Sequence, residues 1–501
     1  MKRIMMVTSI APKNVENQKQ ALQSWIENGF DIISCNIRDE IEQIESEFPQ
    51  VEFVEVKRDG RALMGKPCPY IYDMLQVLKE KADDICGIVN SDIHLCNFTQ
   101  AMYDSIWEET HQEIHFLRRN DIERLEDIKE MKCDMFFGGI DVFFFQKSDI
   151  EDIEDDGLLM GQAMWDYWLP IMFCENGKVI KEILNPIIFH VKHAIGWSDD
   201  ITEKLSWEIC QKHFSRITKE DSVIYLKEKF FQIISKPDLG KCLVSEDISK
   251  KKVLFICKSE LIEKFQKKIT IQTHKNIEVV EEIEDGKVYD YAVYIPYDLM
   301  LSPSFVDTII WVMETFHKSK IHVMPYAMGN LSATYNIRNC CTISLKRLKS
   351  ELDDIYVWKK DVMSREQEIV SVCSTCICSI WMEEDEKVIW ERDGFSGKTL
   401  IYPAGYMART WIKRYKNLAT KVKIVGFVDS MEKKQNTYID GKPVFSPDIV
   451  YAQDKYDKIV IISNLYQEEI YEMLRQKVHE DKLIIWNEYS AKNLGRTSDI
   501  S

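Results

Sequence analysis

Short apolar runs alternate with amphipathic stretches through the first part of the chain. Ile4 to Val7 reads as a strand that ends in Thr8-Ser9-Ile10. Asn14 to Asn28 places Ala21, Leu22, Trp25 and Ile26 on one side, the spacing of a helix, and Gly29 ends it. Phe30 to Cys35 predicts a second strand, followed by Asn36 and a helix from Asp39 to Phe48. Val51 to Val56 is a third strand. The polar loop Lys57 to Arg61 and the segment Lys66-Pro67-Cys68-Pro69 lead into a helix from Tyr70 to Lys79. Ile85 to Val89 is a buried strand that breaks at Asn90-Ser91-Asp92, where a helix or loop must start. This alternation predicts an α/β domain with a mostly parallel sheet and helices on both faces.

Further on the pattern restarts twice. Helices from Thr202 to Phe214 and from Asp221 to Ile234 precede a linker around Lys236 to Gly240 and Ser249 to Lys252. Val253 to Cys257, the helix Leu261 to Ile271 and the strand Tyr289 to Ile295 open a second, smaller α/β domain. Lys398 to Tyr402, a helix from Thr410 to Leu418, Val422 to Asp429 and Tyr456 to Ser463 form a third, with a hairpin-like excursion from Ile439 to Val444. The expected domains are 1–235, 252–390 and 396–495. The 501 residues fit about three domains of ordinary size.

Composition narrows the partners. Apolar residues make up 45% and charged residues 29%, ordinary for a globular chain. No apolar run approaches a membrane span of ~20 residues. The start, Met1-Lys2-Arg3-Ile4, enters a strand at once and lacks signal-peptide architecture. The net charge of -17 argues against nucleic acid as a partner. The 14 Cys are scattered through apolar segments, which fits reduced thiols and a cytoplasmic protein. The cluster Cys373, Cys376 and Cys378 reads as part of a strand, since a metal site needs further ligands at matching spacing.

The candidate chemistry starts at Asn90-Ser91-Asp92. In open α/β sheets ligands gather beyond the carboxyl ends of the strands. A carboxylate there can hold a hard divalent cation against a diphosphate. The competing reading is a helix cap. Asp92 is the candidate metal ligand. Asn90 offers a neutral amide to the metal, to a ribose hydroxyl or to the backbone.

Over roughly residues 3–198 the sequence resembles a bacterial group of GT-A-fold glycosyltransferases. The matching pieces are Thr8-Ser9-Ile10, Ser24-Trp25, Asn90-Ser91-Asp92-Ile93, Gly139-Ile140-Asp141-Val142-Phe143, Trp165-Asp166-Tyr167-Trp168-Leu169, and His190 with His193. The resemblance implies transfer of a sugar from a nucleotide-sugar donor, a UDP-sugar first among them, to an acceptor hydroxyl. It implies Mn²⁺ or Mg²⁺ as cofactor. Asp92, His190 and His193 become the metal ligands, and imidazole beside carboxylate favours Mn²⁺. Each His is otherwise a loop residue. Asp166, in an aromatic setting, becomes the base of an inverting transfer; the alternative is a helix cap. Asp141 is a candidate for holding donor or acceptor hydroxyls, or a turn residue before a strand. Thr8, Ser9 and Asn36 are candidates for the base and ribose, and Asp59 and Lys66 for the nucleotide and its diphosphate.

Gln272-Thr273-His274-Lys275-Asn276-Ile277-Glu278 resembles a segment of family-2 glycosyltransferases, with their acidic cluster reduced to Asp298. It reads as a degenerate, inactive GT-A-like domain. The last domain has Gly405 at its first turn and Asp429 after its second strand. It is Rossmann-like and resembles the nucleotide-sugar-binding front domain of sugar O-acyltransferases. Pro403 and Tyr406 depart from the glycine fingerprint. The leading expectation is a glycosyltransferase of bacterial surface-polysaccharide assembly. Its acceptor is a glycan or lipid-linked sugar, its contact with the inner face of the membrane is peripheral, and self-association is expected. The alternative is a non-catalytic nucleotide-sugar-binding or scaffold protein of such a pathway.

Overall fold

The computed structural model describes residues 2–328 apart from 132, 194–195, 197, 216, 235–238, 284–286, 296–299, 318–319 and 325. It also describes 355–359, 370–373, 378–381, 397–405, 408 and 422–485, apart from 440, 453 and 463–466. The molecule is mixed α/β, with several sheets rich in parallel pairs. Two compact units divide it: residues 1–324 with 355–378, and residues 325–354 with 379–501.

The first unit opens with a ten-stranded sheet. Its strands are β1 (Met5–Thr8), β2 (Asp31–Asn36), β3 (Glu52–Glu55), β4 (Ile85–Val89), β5 (Ile93–Leu95), β6 (Ile114–Ile122), β7 (Asp134–Gln146), β8 (Ile180–Ile183), β9 (Ile188–Val191) and β10 (Gly240–Lys241). The main order is β10-β8-β6-β7-β4-β1-β2-β3. β1 to β4 run parallel, as expected of strands joined by helices. β7 is antiparallel to both β4 and β6, so the sheet is mixed, although most of its strand pairs are parallel as expected. A short connection from β6 leaves no room for a crossover helix. β4 is buried throughout. Gly87 within it lies so close to β7 that a Cβ would stand 2.2 Å from the Phe143 carbonyl oxygen.

β7 is longer than the apolar run Val142 to Phe145 suggests, and it carries Gly138-Gly139 inside it. Its register against β6 shifts. Leu117 pairs with Val142 and Arg118 with Ile140, so Asp141 is the extra residue of a β-bulge. Bulges re-aim side chains and often stand beside functional sites.

Asn90-Ser91-Asp92 starts no helix. The chain makes a tight turn and enters β5, which pairs antiparallel with β9. The helix Val15–Glu27 holds this turn and strand in place. Its Gln18 Oε1 accepts from the Ser91 hydroxyl at 2.7 Å. Ser24 Oγ accepts from the Leu95 amide at 2.8 Å, and Trp25 Nε1 donates to the Ile93 carbonyl at 2.8 Å. Asn17 Oδ1 meets His94 Nε2 at 3.0 Å. Trp25 also anchors an aromatic cluster with Phe30 and Phe144. The predicted amphipathic helix therefore buries an apolar stripe and grips the site backbone with its polar positions.

The second sheet has six strands. Val253–Ile256, Ile277–Val280 and Tyr291–Tyr294 pair in parallel, and Ile355–Lys359 joins antiparallel. The helix Phe305–Thr315 follows. Asp298 lies outside the described residues, as do residues 374–377 of the cysteine cluster. None of the cysteines from Cys35 to Cys257 forms a disulfide.

The second unit carries a further six-stranded sheet. Gly397–Tyr402 pairs in parallel with Val422–Val428 and Lys458–Ile461. Tyr438–Ile439 and Lys442–Phe445 form the expected hairpin. Asp429 is buried just past the second strand, where the Met431 amide donates to it. Tyr406 and the expected helix Thr410 to Leu418 lie outside the described residues.

Trp25→Phe keeps an aromatic ring but leaves the buried Ile93 carbonyl without its donor. The expected cost is about 1–3 kcal/mol, read as a lower urea midpoint by circular dichroism. An unchanged midpoint would show that the indole bond contributes nothing.

Candidate metal and acid–base site

The site lies at the carboxyl end of β4. Sheet register brings its members together from distant parts of the chain. On β9, His190 is the cross-strand partner of Ile93 on one side and of Asp121 on the other. Asp92 precedes Ile93, so its carboxylate meets the imidazoles. Asp92 Oδ2 lies 3.0 Å from His193 Nε2 and 3.6 Å from His190 Nε2. One ligand atom from each of Asp92, His190 and His193 falls within 4.8 Å of the others. The two imidazoles meet edge to face at 4.8 Å. One carboxylate and two imidazoles form a donor set that fits a first-row transition metal better than Mg²⁺, which prefers oxygen ligands throughout.

The charges here depend on one another. Burial alone pushes the Asp92 carboxyl up, but hydrogen bonds from His190 and His193 outweigh it and hold the group well below the ordinary range. Burial pushes His190 down, yet Asp121 and Asp92 raise it to about 9. His190 is 5% exposed, so its two carboxylate partners replace water. His94 is different: burial lowers it to about 4, and it faces Asn17 instead of the cluster.

Asp141 stands beside this group. Its Oδ1 accepts from the Asn90 side-chain amide, and the Asn90 backbone amide donates to the Asp141 carbonyl at 3.2 Å. Arg119 Nη1 reaches Asp141 Oδ2 at 3.3 Å, and Arg119 Nε reaches Asp121 Oδ1 at 2.9 Å. Burial raises the Asp141 carboxyl, against the pull of Arg119.

Asp166 sits in the first turn of the helix Trp165–Glu175, and its Oδ1 accepts from the Met164 amide at 3.2 Å. Met164 has a φ of 101°, a strained entry for a residue other than glycine. Burial first, then the charge of Asp141, raises the Asp166 carboxyl to about 7. That is the range a general base requires near neutrality.

The remaining candidates are placed as follows. Thr8 is fully buried, and its hydroxyl has no hydrogen-bond partner among the described residues. Ser9 is half-buried. Asn36 is buried, with its amide donating to the Ile10 carbonyl and to Glu40 and its oxygen accepting from Ser34. Asp59 is paired with Arg61. Lys66 Nζ donates to the Gly196 carbonyl at 2.9 Å, which ties its loop to the segment after His193. Asp121 and Arg119 are the members that sequence reasoning misses. A signal existed: Arg119 and Asp121 stand two apart in one strand, so they share a face.

A second group, Glu109, Glu113 and His115, also has ligand-like spacing. The Lys241 ammonium already pairs with both of its carboxylates. Among the described residues, no helix is long and apolar enough to cross a membrane.

Comparison with known proteins adds little. A family model described as C2185-like, N-terminal, matches residues 396–485. No curated protein matches the chain in sequence. A crystal structure of S. aureus TarS 1–349 is similar at a TM-score of 0.28 and 10% identity, covering 46% of this chain and 72% of that one. The same protein in complex with UDP-GlcNAc gives 0.30 and 11%, covering 46% and 73%. The longer TarS structure, of which 44% is covered, gives 0.29 and 9%. At this level of likeness, fold and activity rest on the chain's own residues.

Proposed function

We propose that residues 1–235 form a metal-dependent glycosyltransferase domain that moves a sugar from a nucleoside diphosphate to an acceptor hydroxyl. The observation that carries this is the convergence of Asp92, His190 and His193 at the carboxyl end of β4. Such a position suits a cation and a diphosphate. The metal, Mn²⁺ in this reading, would neutralise the charge that develops on the departing phosphate. Asn90 and Asp141 form one hydrogen-bonded pair beside it and offer polar atoms to sugar or ribose hydroxyls. Asp166 takes the proton from the acceptor hydroxyl as its oxygen attacks the anomeric carbon and the bond to the phosphate breaks, which inverts that carbon. Its carboxyl, raised to about 7, accepts a proton more readily than an ordinary carboxylate. Nucleotide-binding roles for Thr8, Ser9, Asn36, Asp59 and Lys66, a UDP-sugar donor and a glycan or lipid-linked acceptor of surface-polysaccharide assembly belong to the same proposal. So does the division into three domains.

A second reading is a non-catalytic nucleotide-sugar-binding protein. The hydrogen bond from the Met164 amide to Asp166 favours it, because that contact also serves to cap the helix. Metal-dependent hydrolysis or transfer of the donor separates the two.

Asp92→Ala should lower metal-dependent turnover roughly a thousandfold, the equivalent of several kcal/mol of lost charge stabilisation. Asp166→Asn should lower turnover by about 10²–10⁴-fold and leave donor binding intact. The active form of Asp166 is the carboxylate. Wild-type rates should therefore rise with pH up to about 7 and fall below it, and Asp166→Asn should lose that limb. Steady-state kinetics across pH 5–9 measures all three. Wild-type rates in both variants would contradict the assignment.

A further inference from the structure

We infer that Asp121 is a positioning residue for His190. It holds the imidazole with Nε2 turned toward Asp92, and it connects the metal site to Asp141 through Arg119. The inference rests on the metal-site reading above and names a residue that no part of that reading uses.

The geometry starts in the sheet. β9 lies between β5 and β6, and His190 is the partner of Ile93 on one side and of Asp121 on the other. The two ring nitrogens therefore face opposite carboxylates. His190 Nδ1 lies 2.9 Å from Asp121 Oδ1, a full hydrogen bond. Nε2 lies 3.6 Å from Asp92 Oδ2, longer than a good hydrogen bond. Were a metal to take Nε2, the ring would keep one proton, and the contact with Asp121 would hold it on Nδ1. The Nε2 lone pair then points at the space shared with Asp92 and His193. Ligating histidines commonly donate their other ring N–H to a carboxylate, which fixes tautomer and ring orientation and strengthens the ligand.

Asp121 is itself held. Arg119 Nε lies 2.9 Å from the same Oδ1, and Arg119 Nη1 lies 3.3 Å from Asp141 Oδ2. Asp141 Oδ1 in turn accepts from Asn90, two residues before Asp92. The contacts thus close a loop from Asp92 through His190, Asp121, Arg119, Asp141 and Asn90 back to the β4 turn. Arg119 and Asp121 can share this work because alternate residues of a strand point the same way.

A structural ion pair on the same residues would stabilise the fold without acting through His190. The two roles separate in a double-mutant cycle read by Mn²⁺ affinity. Mn²⁺ is titrated into the full chain at fixed pH, and the free aqua ion is followed by electron paramagnetic resonance. Asp121→Ala is expected to weaken binding about 10–100-fold. In a His190→Ala background the same change should alter affinity by no more than about twofold, because the residue it acts through is gone. Asp121→Asn keeps an acceptor oxygen and should lose less than Asp121→Ala. If Asp121→Ala does not fold, Asp121→Asn decides in its place: a loss confined to the chain that retains His190 supports the inference. Equal losses with and without His190, or no loss at all, overturn it. Asp92→Ala is the reference. If it binds Mn²⁺ as wild type does, or if wild type shows no saturable binding, the metal-site reading fails and this inference with it. If Asp92→Ala abolishes binding while Asp121→Ala leaves it unchanged, only the inference fails.

Discussion

The site depends on how the backbone from Asn90 to Leu95 is held. A turn at the end of a buried strand exposes polar backbone groups that need partners. The helix Val15–Glu27 supplies them through Ser24 and Trp25 while its Gln18 holds the Ser91 side chain, and β9 supplies the rest through its ladder with β5. With both ends fixed, the Asp92 carboxylate has one place to go. The same pairing sets His190 across from Ile93. The ligand geometry is thus a consequence of sheet register, and register slips are costly because one residue reverses every side chain.

The electrostatics follow from crowding carboxylates where little water reaches. Asp92, Asp121, Asp141 and Asp166 all influence Arg119. Their environments push them apart. Two imidazoles hold Asp92 ionised, whereas burial and the neighbouring Asp141 favour the protonated form of Asp166. Carboxylates separated in this way can take different tasks, one binding a cation and another moving a proton.

Much of this was legible in the sequence. The strand–helix alternation gave the α/β class, and β1, β2, β4 and the helix after β1 lie where the apolar spacing puts them. Asp92, His190 and His193 were named from motif order, and they meet in space. What stayed hidden was register. Periodicity does not tell that Asn90-Ser91-Asp92 turns into a short strand, since three residues of Ile93–Leu95 are too few to show a period. It does not reveal that Asp141 occupies a bulge, because a bulge is defined by a partner strand. Arg119 and Asp121 gain their partners only because β6 has neighbours on both sides, which the sequence does not show. Asn36 and Thr8 sit at strand ends, as nucleotide-binding residues do, yet both side chains are buried, which composition alone does not show.

The central claim is that a metal and a nucleoside diphosphate meet at Asp92. A thermal-shift screen of nucleoside diphosphates and nucleotide sugars, with and without Mn²⁺, tests it on wild type and Asp92→Ala. Binding to the folded state raises the melting temperature by mass action. A rise is expected for at least one nucleotide, requiring Mn²⁺ and disappearing in Asp92→Ala. A rise that ignores both Mn²⁺ and Asp92 would contradict it and move nucleotide binding elsewhere in the chain.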